Sequence, residues 1–191
     1  MTTSHQDTPP AGAGAVQRQF DHARVWELSL PVFEQAAVML AEAAPAADVV
    51  VGIARGGVLL AELVAGCLGL PAVPLRARHN LSDDIYLPAT GEVRIAAEEA
   101  AALAPAVAGK RVLVADDICG TGATLMAVTR QMTGLDPAGV ASTVLCRSEA
   151  AVFTPDAWIW DIRDWVVFPW NQPAGQPTEM LTLPRKAQVP P

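Results

Sequence analysis

Two carboxylates stand side by side at Asp116 and Asp117, directly after an apolar run and shortly before a loop of small residues. The string over residues 112–125 reads VLVADDICGTGATL. Glycines in such a loop, here Gly120 and Gly122, let backbone N–H groups converge on an anion, and a helix opening behind them adds the partial positive charge of its N-terminus. Thr121 and Thr124 can supply hydroxyl donors to the same anion, and Ala123 completes the run of small side chains. A phosphate monoester is the natural occupant. Adjacent carboxylates would repel it, so they must face another part of the ligand: the vicinal hydroxyls of a ribose, or a Mg²⁺ ion on a second phosphate group. Ribose 5-phosphate satisfies both halves, with its phosphate in the loop and its diol on the acids. A P-loop reading fails, because no Lys follows the glycines.

A second cluster lies upstream, in residues 50–57 (VVGIARGG). Arg55 offers a delocalised charge to phosphate oxygens, and Gly56 permits an unusual backbone geometry. Alone, it would fit an ordinary surface turn equally well. Together with the acid pair it reads as a second phosphate contact.

The elements that must position these clusters follow from the apolar pattern. Residues 48–53 (DVVVGI), 71–75, 111–115, 139–146 and 158–162 have the length and composition of strands, and residues 56–68 and 122–132 those of helices. Strand–helix–strand repetition predicts an α/β fold with a mostly parallel central sheet flanked by helices on both faces. Ligands bind at the carboxyl ends of such strands. The two strand ends with unusual chemistry are residues 54–57 and 116–124.

Composition sets the remaining bounds. The 191 residues suit one domain, and 51% of them are hydrophobic, enough for a packed core. The longest apolar stretch, residues 58–70, is interrupted by Glu62 and is too short to span a bilayer. A net charge of −7 without any Lys/Arg run argues against nucleic-acid binding. Residues 1–15 lack the basic and apolar regions of a signal peptide. Cys67, Cys119 and Cys146 share no metal-ligand spacing and are expected as buried free thiols in a reducing cytoplasm. The expected organisation is a solvated tail over 1–18, one domain over 19–171, and a Pro-rich, polar surface extension over 172–191.

The acid-pair string closely resembles the 5-phosphoribosyl-1-pyrophosphate (PRPP) signature of the type I phosphoribosyltransferases. That resemblance implies Mg²⁺-dependent transfer of a phosphoribosyl group to a nitrogen of a nucleobase-like acceptor. It assigns Asp116 and Asp117 to the ribose hydroxyls and Mg²⁺, Gly120 to Thr124 to the 5-phosphate, and Arg55 and Gly56 to the pyrophosphate. In relatives the peptide at this second loop is often non-proline cis. Residues 24–30 (RVWELSL) and 164–170 (DWVVFPW) resemble the small microbial xanthine/hypoxanthine/guanine branch. There, Trp165 would stack on a purine, Val166 would offer backbone groups to its edge, and Arg147 would meet an exocyclic oxygen. A core or oligomer-interface role fits Trp165 equally well. Residues 76–95 form a long polar stretch where relatives carry a mobile flap, which makes His79, Asn80, Ser82 and Tyr86 candidates to reach the pyrophosphate. Relatives are commonly dimers or tetramers.

Three positions depart from that branch. Gly120 stands where purine-salvage members usually carry an Asp that handles the proton at purine N7. Arg147 replaces a Lys, and Asn171 replaces a metal-binding acid. Gly120 leaves space, and no proton partner, beside position 7, which suits a 7-deazapurine. A PRPP-binding regulator without catalysis and a transferase with a pyrimidine acceptor are the competing readings.

Overall fold

The computed structural model describes residues 21–78, 94–172, 175 and 178–191. Its elements run β1 (Asp21–Glu27), α1 (Leu30–Ala43), β2 (Val49–Ile53), α2 (Ala54–Leu68), β3 (Ala72–Leu75), β4 (Ala77–Arg78), β5 (Arg94–Ile95), α3 (Ala97–Val107), β6 (Arg111–Cys119), α4 (Ala123–Thr133), β7 (Gly139–Ser148), β8 (Ala157–Ile162), β9 (Asp164–Val167) and β10 (Glu179–Met180).

Five strands form the central sheet in the order β3-β2-β6-β7-β8, every neighbouring pair parallel. Parallel strands need crossovers, and the helices that make them cover both faces. That is why β2 reads as an unbroken apolar run and is buried at every residue. Alternating side chains feed two apolar layers. Val50, Leu113 and Leu145 meet Phe33 and Leu40 of α1 and Leu60 and Val64 of α2 on one face. Val49, Val51, Val112, Val114 and Val144 meet Leu103 and Val107 of α3 and Leu125, Val128 and Met132 of α4 on the other.

A second, three-stranded sheet, β10-β1-β9, forms a hood from segments far apart in the chain. Its register sets Trp26 beside both Val166 and Glu179. Val166 and Phe168 drop their side chains into the first apolar layer with Leu28 and Ile162, which joins hood to core.

The expected strands are all present, and two run further than their apolar composition suggested. β6 continues beyond Ala115 through the acid pair to Cys119, because pairing with β7 persists at Asp116↔Val144, Ile118↔Cys146 and Cys119↔Arg147. β7 extends correspondingly to Ser148. The Arg55-Gly56-Gly57 run lies in the first turn of α2 rather than in a loop ahead of it. Described peptide bonds are all trans, so the expected cis peptide is absent; the chain turns instead at Ala54, which takes a left-handed φ of 49°.

The carboxy-terminal residues also differ from a simple surface extension. Leu181 and Ala187 are buried, Leu181 N–H donates to Glu27 O at 2.9 Å, and Gln188 pairs with Trp158 along the sheet edge. Cys67 is exposed on α2, whereas Cys119 and Cys146 are buried as expected. The ends of the long polar stretch pair as an antiparallel ribbon, Ala77↔Ile95 and Arg78↔Arg94. His79, Asn80, Ser82 and Tyr86 lie outside the described residues. Among the described residues no helix is long and apolar enough to cross a membrane.

Candidate active site

The carboxyl ends of β2 and β6 are neighbours, and each leads into a helix: β2 directly into α2, β6 through three residues into α4. Neither helix has a side-chain cap hydrogen bond at its N-terminus. The first amides of a helix have no intrahelical partner, so two N-termini at adjacent strand ends, the second with its Ala123 N–H held by Thr121 Oγ1, offer two places for anionic groups.

Between them sits the acid pair. Asp116 is 8% exposed, and its Oδ1 accepts the Asp117 N–H at 3.0 Å. Burial, and then the neighbouring Asp117 charge, push the Asp116 carboxyl well above its ordinary range. Burial raises Asp117 too, against the lowering effect of its hydrogen bonds. Two adjacent carboxylates, Asp116 buried and Asp117 half-buried, form a hard oxygen donor set whose charge a divalent cation would offset, so the residues fit Mg²⁺.

The first turn of α2 packs straight onto this pair. A methyl group at Gly56 would overlap the Asp117 carboxylate, coming within 2.5 Å of its Cγ; one at Gly57 would lie 2.5 Å from Ala115 O and 2.9 Å from Asp116 Cα. Only glycine allows that approach. The two clusters read separately from the sequence are therefore adjacent in space through Gly56 and Gly57, and Arg55, which precedes them in the chain, is exposed.

The small-residue loop closes the other side. Gly122 takes φ 88° as the residue before α4, and Thr121 Oγ1 accepts the Ala123 N–H at 3.2 Å. The loop rests on the β7–β8 connection: Val152 N–H donates to Thr121 O at 3.1 Å, Cys119 Sγ–H reaches Phe153 O at 3.8 Å, and a side chain at Gly122 would overlap Phe153. Val152 and Phe153 escaped the sequence reading, because their contribution is shape and backbone and no residue type announces it. The Cys119 thiol is pushed up to about 11 by burial and the Asp116 charge, partly opposed by Arg147, and burial, with the Asp117 charge, raises Cys146 well above the ordinary thiol range. Neither is a nucleophile near neutrality.

The acid pair thus lies between the N-termini of α2 and α4 at adjacent strand ends. The family model described as "Phosphoribosyl transferase domain" matches residues 34–174. The chain belongs to the phosphoribosyltransferase family.

Known relatives place it further. The chain is 36% identical over 95 residues to the adenine phosphoribosyltransferase of Mycobacteroides abscessus, a match covering 49% of this chain and 54% of that protein. It thus spans about half the length of this curated relative. A purine phosphoribosyltransferase from Pyrococcus horikoshii superimposes with a TM-score of 0.64 at 24% identity, covering 81% of this chain and 99% of that one. The xanthine-guanine-hypoxanthine phosphoribosyltransferase of Helicobacter pylori gives 0.58 at 19% identity, covering 78% and 93%. The fold is that of these small phosphoribosyltransferases.

Measured against this family, the base-side candidates fall on two elements. Arg147 is the penultimate residue of β7 and pairs across from Cys119, the last residue of β6. Trp165 and Val166 lie on β9 of the hood. Trp165 is 37% exposed, which removes the core reading and leaves stacking or an interface. Leu28 N–H donates to Val167 O at 2.9 Å. Parallel pairing alternates, so the backbone groups of Val166 point to the outer edge of β9, which no strand of that sheet covers. Asn171, at the position of a family acid, serves a turn: its Oδ1 accepts the Phe168 N–H at 2.9 Å, beneath a stacked Phe168–Trp170 pair at 5.0 Å.

Proposed function

We propose that this protein transfers the 5-phosphoribosyl group of PRPP to a ring nitrogen of a purine-like base and releases pyrophosphate, with Mg²⁺ as the required ion. One observation carries the reading: Gly56 and Gly57 bring an arginine-bearing helix N-terminus onto the buried Asp116–Asp117 pair.

In this reading Asp116 and Asp117 hold the ribose hydroxyls, and Gly120, Thr121, Gly122, Ala123 and Thr124 hold the 5-phosphate. Arg55 and the first amides of α2 take the pyrophosphate, whose departure leaves positive charge on the sugar. A Mg²⁺ ion on the acid pair would supply further charge compensation for the leaving group. The acceptor nitrogen forms its bond to ribose C1 as the bond from C1 to the pyrophosphate oxygen breaks; the oxygen keeps the electron pair, and the proton that the base loses passes to the departing pyrophosphate or to water. Trp165 and the Val166 backbone hold the base in line with C1, and Arg147 meets its exocyclic oxygen. His79, Asn80, Ser82 and Tyr86 are assigned to a flap that excludes water as a competing acceptor.

The acceptor we favour is a 6-oxopurine or a 7-deazapurine. Gly120 supports the second, since a carbon at position 7 needs no proton partner there. Pyrophosphate release should be followed with guanine, hypoxanthine, adenine and a 7-deazaguanine side by side. Turnover of a 6-oxopurine or the 7-deazaguanine is expected. Turnover with adenine alone would refute the acceptor, and no turnover despite PRPP binding would favour a regulator.

A further inference from the structure

Arg147 is held from two sides by residues that neither the sequence pattern nor the family relationship singles out. Its Nε donates to Asp161 Oδ1 at 2.8 Å, and its guanidinium carbon lies 4.3 Å from the centroid of the Trp158 ring. Trp158 Nε1 donates to the same Asp161 oxygen at 3.1 Å, so one carboxylate fixes both the cation and the platform beneath it. Asp161 is the cross-strand neighbour of Arg147 on β8. Trp158 is 5% exposed and is itself tied to Gln188, N–H to O at 3.0 Å and 2.7 Å in the two directions. The Arg147 and Asp161 side chains remain 24% and 28% exposed, so a ligand can reach the pair.

This arrangement does more than neutralise a charge. An arginine side chain has four rotatable bonds and five N–H donors. Here the nitrogen nearest the stem is taken by Asp161 and the plane is laid on an indole, which leaves the two terminal nitrogens aimed as a fixed fork. A guanidinium has no acceptor, so a fixed fork favours a carbonyl oxygen and disfavours an exocyclic amine in the same place.

We propose that Asp161, with Trp158 as its platform, is a positioning residue that orients Arg147 and so makes the enzyme selective for acceptors bearing an exocyclic carbonyl. This inference rests on the transferase reading above and concerns the base alone. PRPP does not enter it.

The test is steady-state kinetics of the full chain with a 6-oxopurine and a 6-aminopurine, for wild type, Asp161→Ala and Asp161→Asn, with calorimetry of PRPP on each. Asp161→Ala should raise KM for the 6-oxopurine about tenfold or more and shrink the oxo-over-amino preference by a similar factor. PRPP affinity should stay within about twofold, since the acid pair and both helix N-termini are untouched. Asp161→Asn keeps an oxygen for Arg147 Nε and Trp158 Nε1, and should restore most of the preference. An unchanged oxo-over-amino ratio in an active Asp161→Ala variant would overturn the inference while leaving the transferase reading intact. Equal losses of PRPP and base affinity would mean a merely structural role, and a wild type inert with every base would overturn both.

Discussion

The two halves of the site are built by opposite means. Around the acid pair, contacts are close and intolerant: two glycines let backbone approach carboxylate, and a third, at φ 88°, seats the small-residue loop against Phe153. The hood is an assembly of distant pieces. Residues 21–27, 164–167 and 179–180 meet there, tied by Arg24 N–H to Asp164 Oδ1 at 3.3 Å and Thr178 Oγ1–H to Glu27 Oε2 at 2.7 Å. In the proposed reading this half binds PRPP, whose 5-phosphate and pyrophosphate require a fixed geometry. In the same reading the base meets the hood, whose short strands owe their place to partners far away in the chain.

Substitutions that strike one half and spare the other put that contrast at risk. The largest effect is expected from Gly56→Ala, whose methyl group must displace the Asp117 carboxylate. PRPP affinity and turnover should fall by about 100-fold or more while circular dichroism reports a folded chain; near-normal kcat/KM would show that the close approach is incidental. Next comes Gly122→Ala, which meets both a left-handed φ and Phe153. It should raise KM for PRPP about tenfold, through a displaced phosphate loop, and change KM for the base far less. Leu181→Ala probes the hood in return. Removing this buried side chain should destabilise the protein by about 2–4 kcal/mol in a urea titration, and KM for the base should rise more than KM for PRPP. If PRPP were the more affected, hood and core would not be separable.

The smallest effect belongs to Asp48, far from both halves. Its carboxylate holds Arg111 through Nε at 2.9 Å and Nη2 at 2.6 Å, and these hydrogen bonds draw its pKa far below the ordinary 3.8. A depressed carboxylate stabilises the fold above its unfolded value and loses that contribution as pH falls toward the folded one. Asp48→Asn should therefore lower Tm slightly at pH 7, by an amount that shrinks progressively below about pH 4. A Tm difference that grew on acidification would contradict the assignment.

This contrast also explains what could be read from the chain. The acid pair, the Thr-Gly loop and Arg55-Gly56 were legible because their chemistry is carried by adjacent residues of unusual type. The sheet was legible because buried parallel strands are near-continuous apolar runs. The reach of β6 through Asp116 and Asp117 was hidden, since charged residues end an apolar run even where strand pairing continues. β10 was hidden for another reason: two residues, both exposed, owe their place to a partner strand about 150 positions earlier. Asp161 and Trp158 looked like ordinary strand residues, and only the cross-strand register sets them around Arg147.

In the proposed function PRPP binds where the first turn of α2 meets Asp116 and Asp117. Titrating PRPP with Mg²⁺ into the full chain, and into the Asp116→Asn/Asp117→Asn double variant, measures this directly by calorimetry. Saturable 1:1 uptake by the wild type, reduced at least about 100-fold in the folded double variant, is the predicted result. Absence of uptake by the wild type, or equal uptake by both proteins, would contradict it.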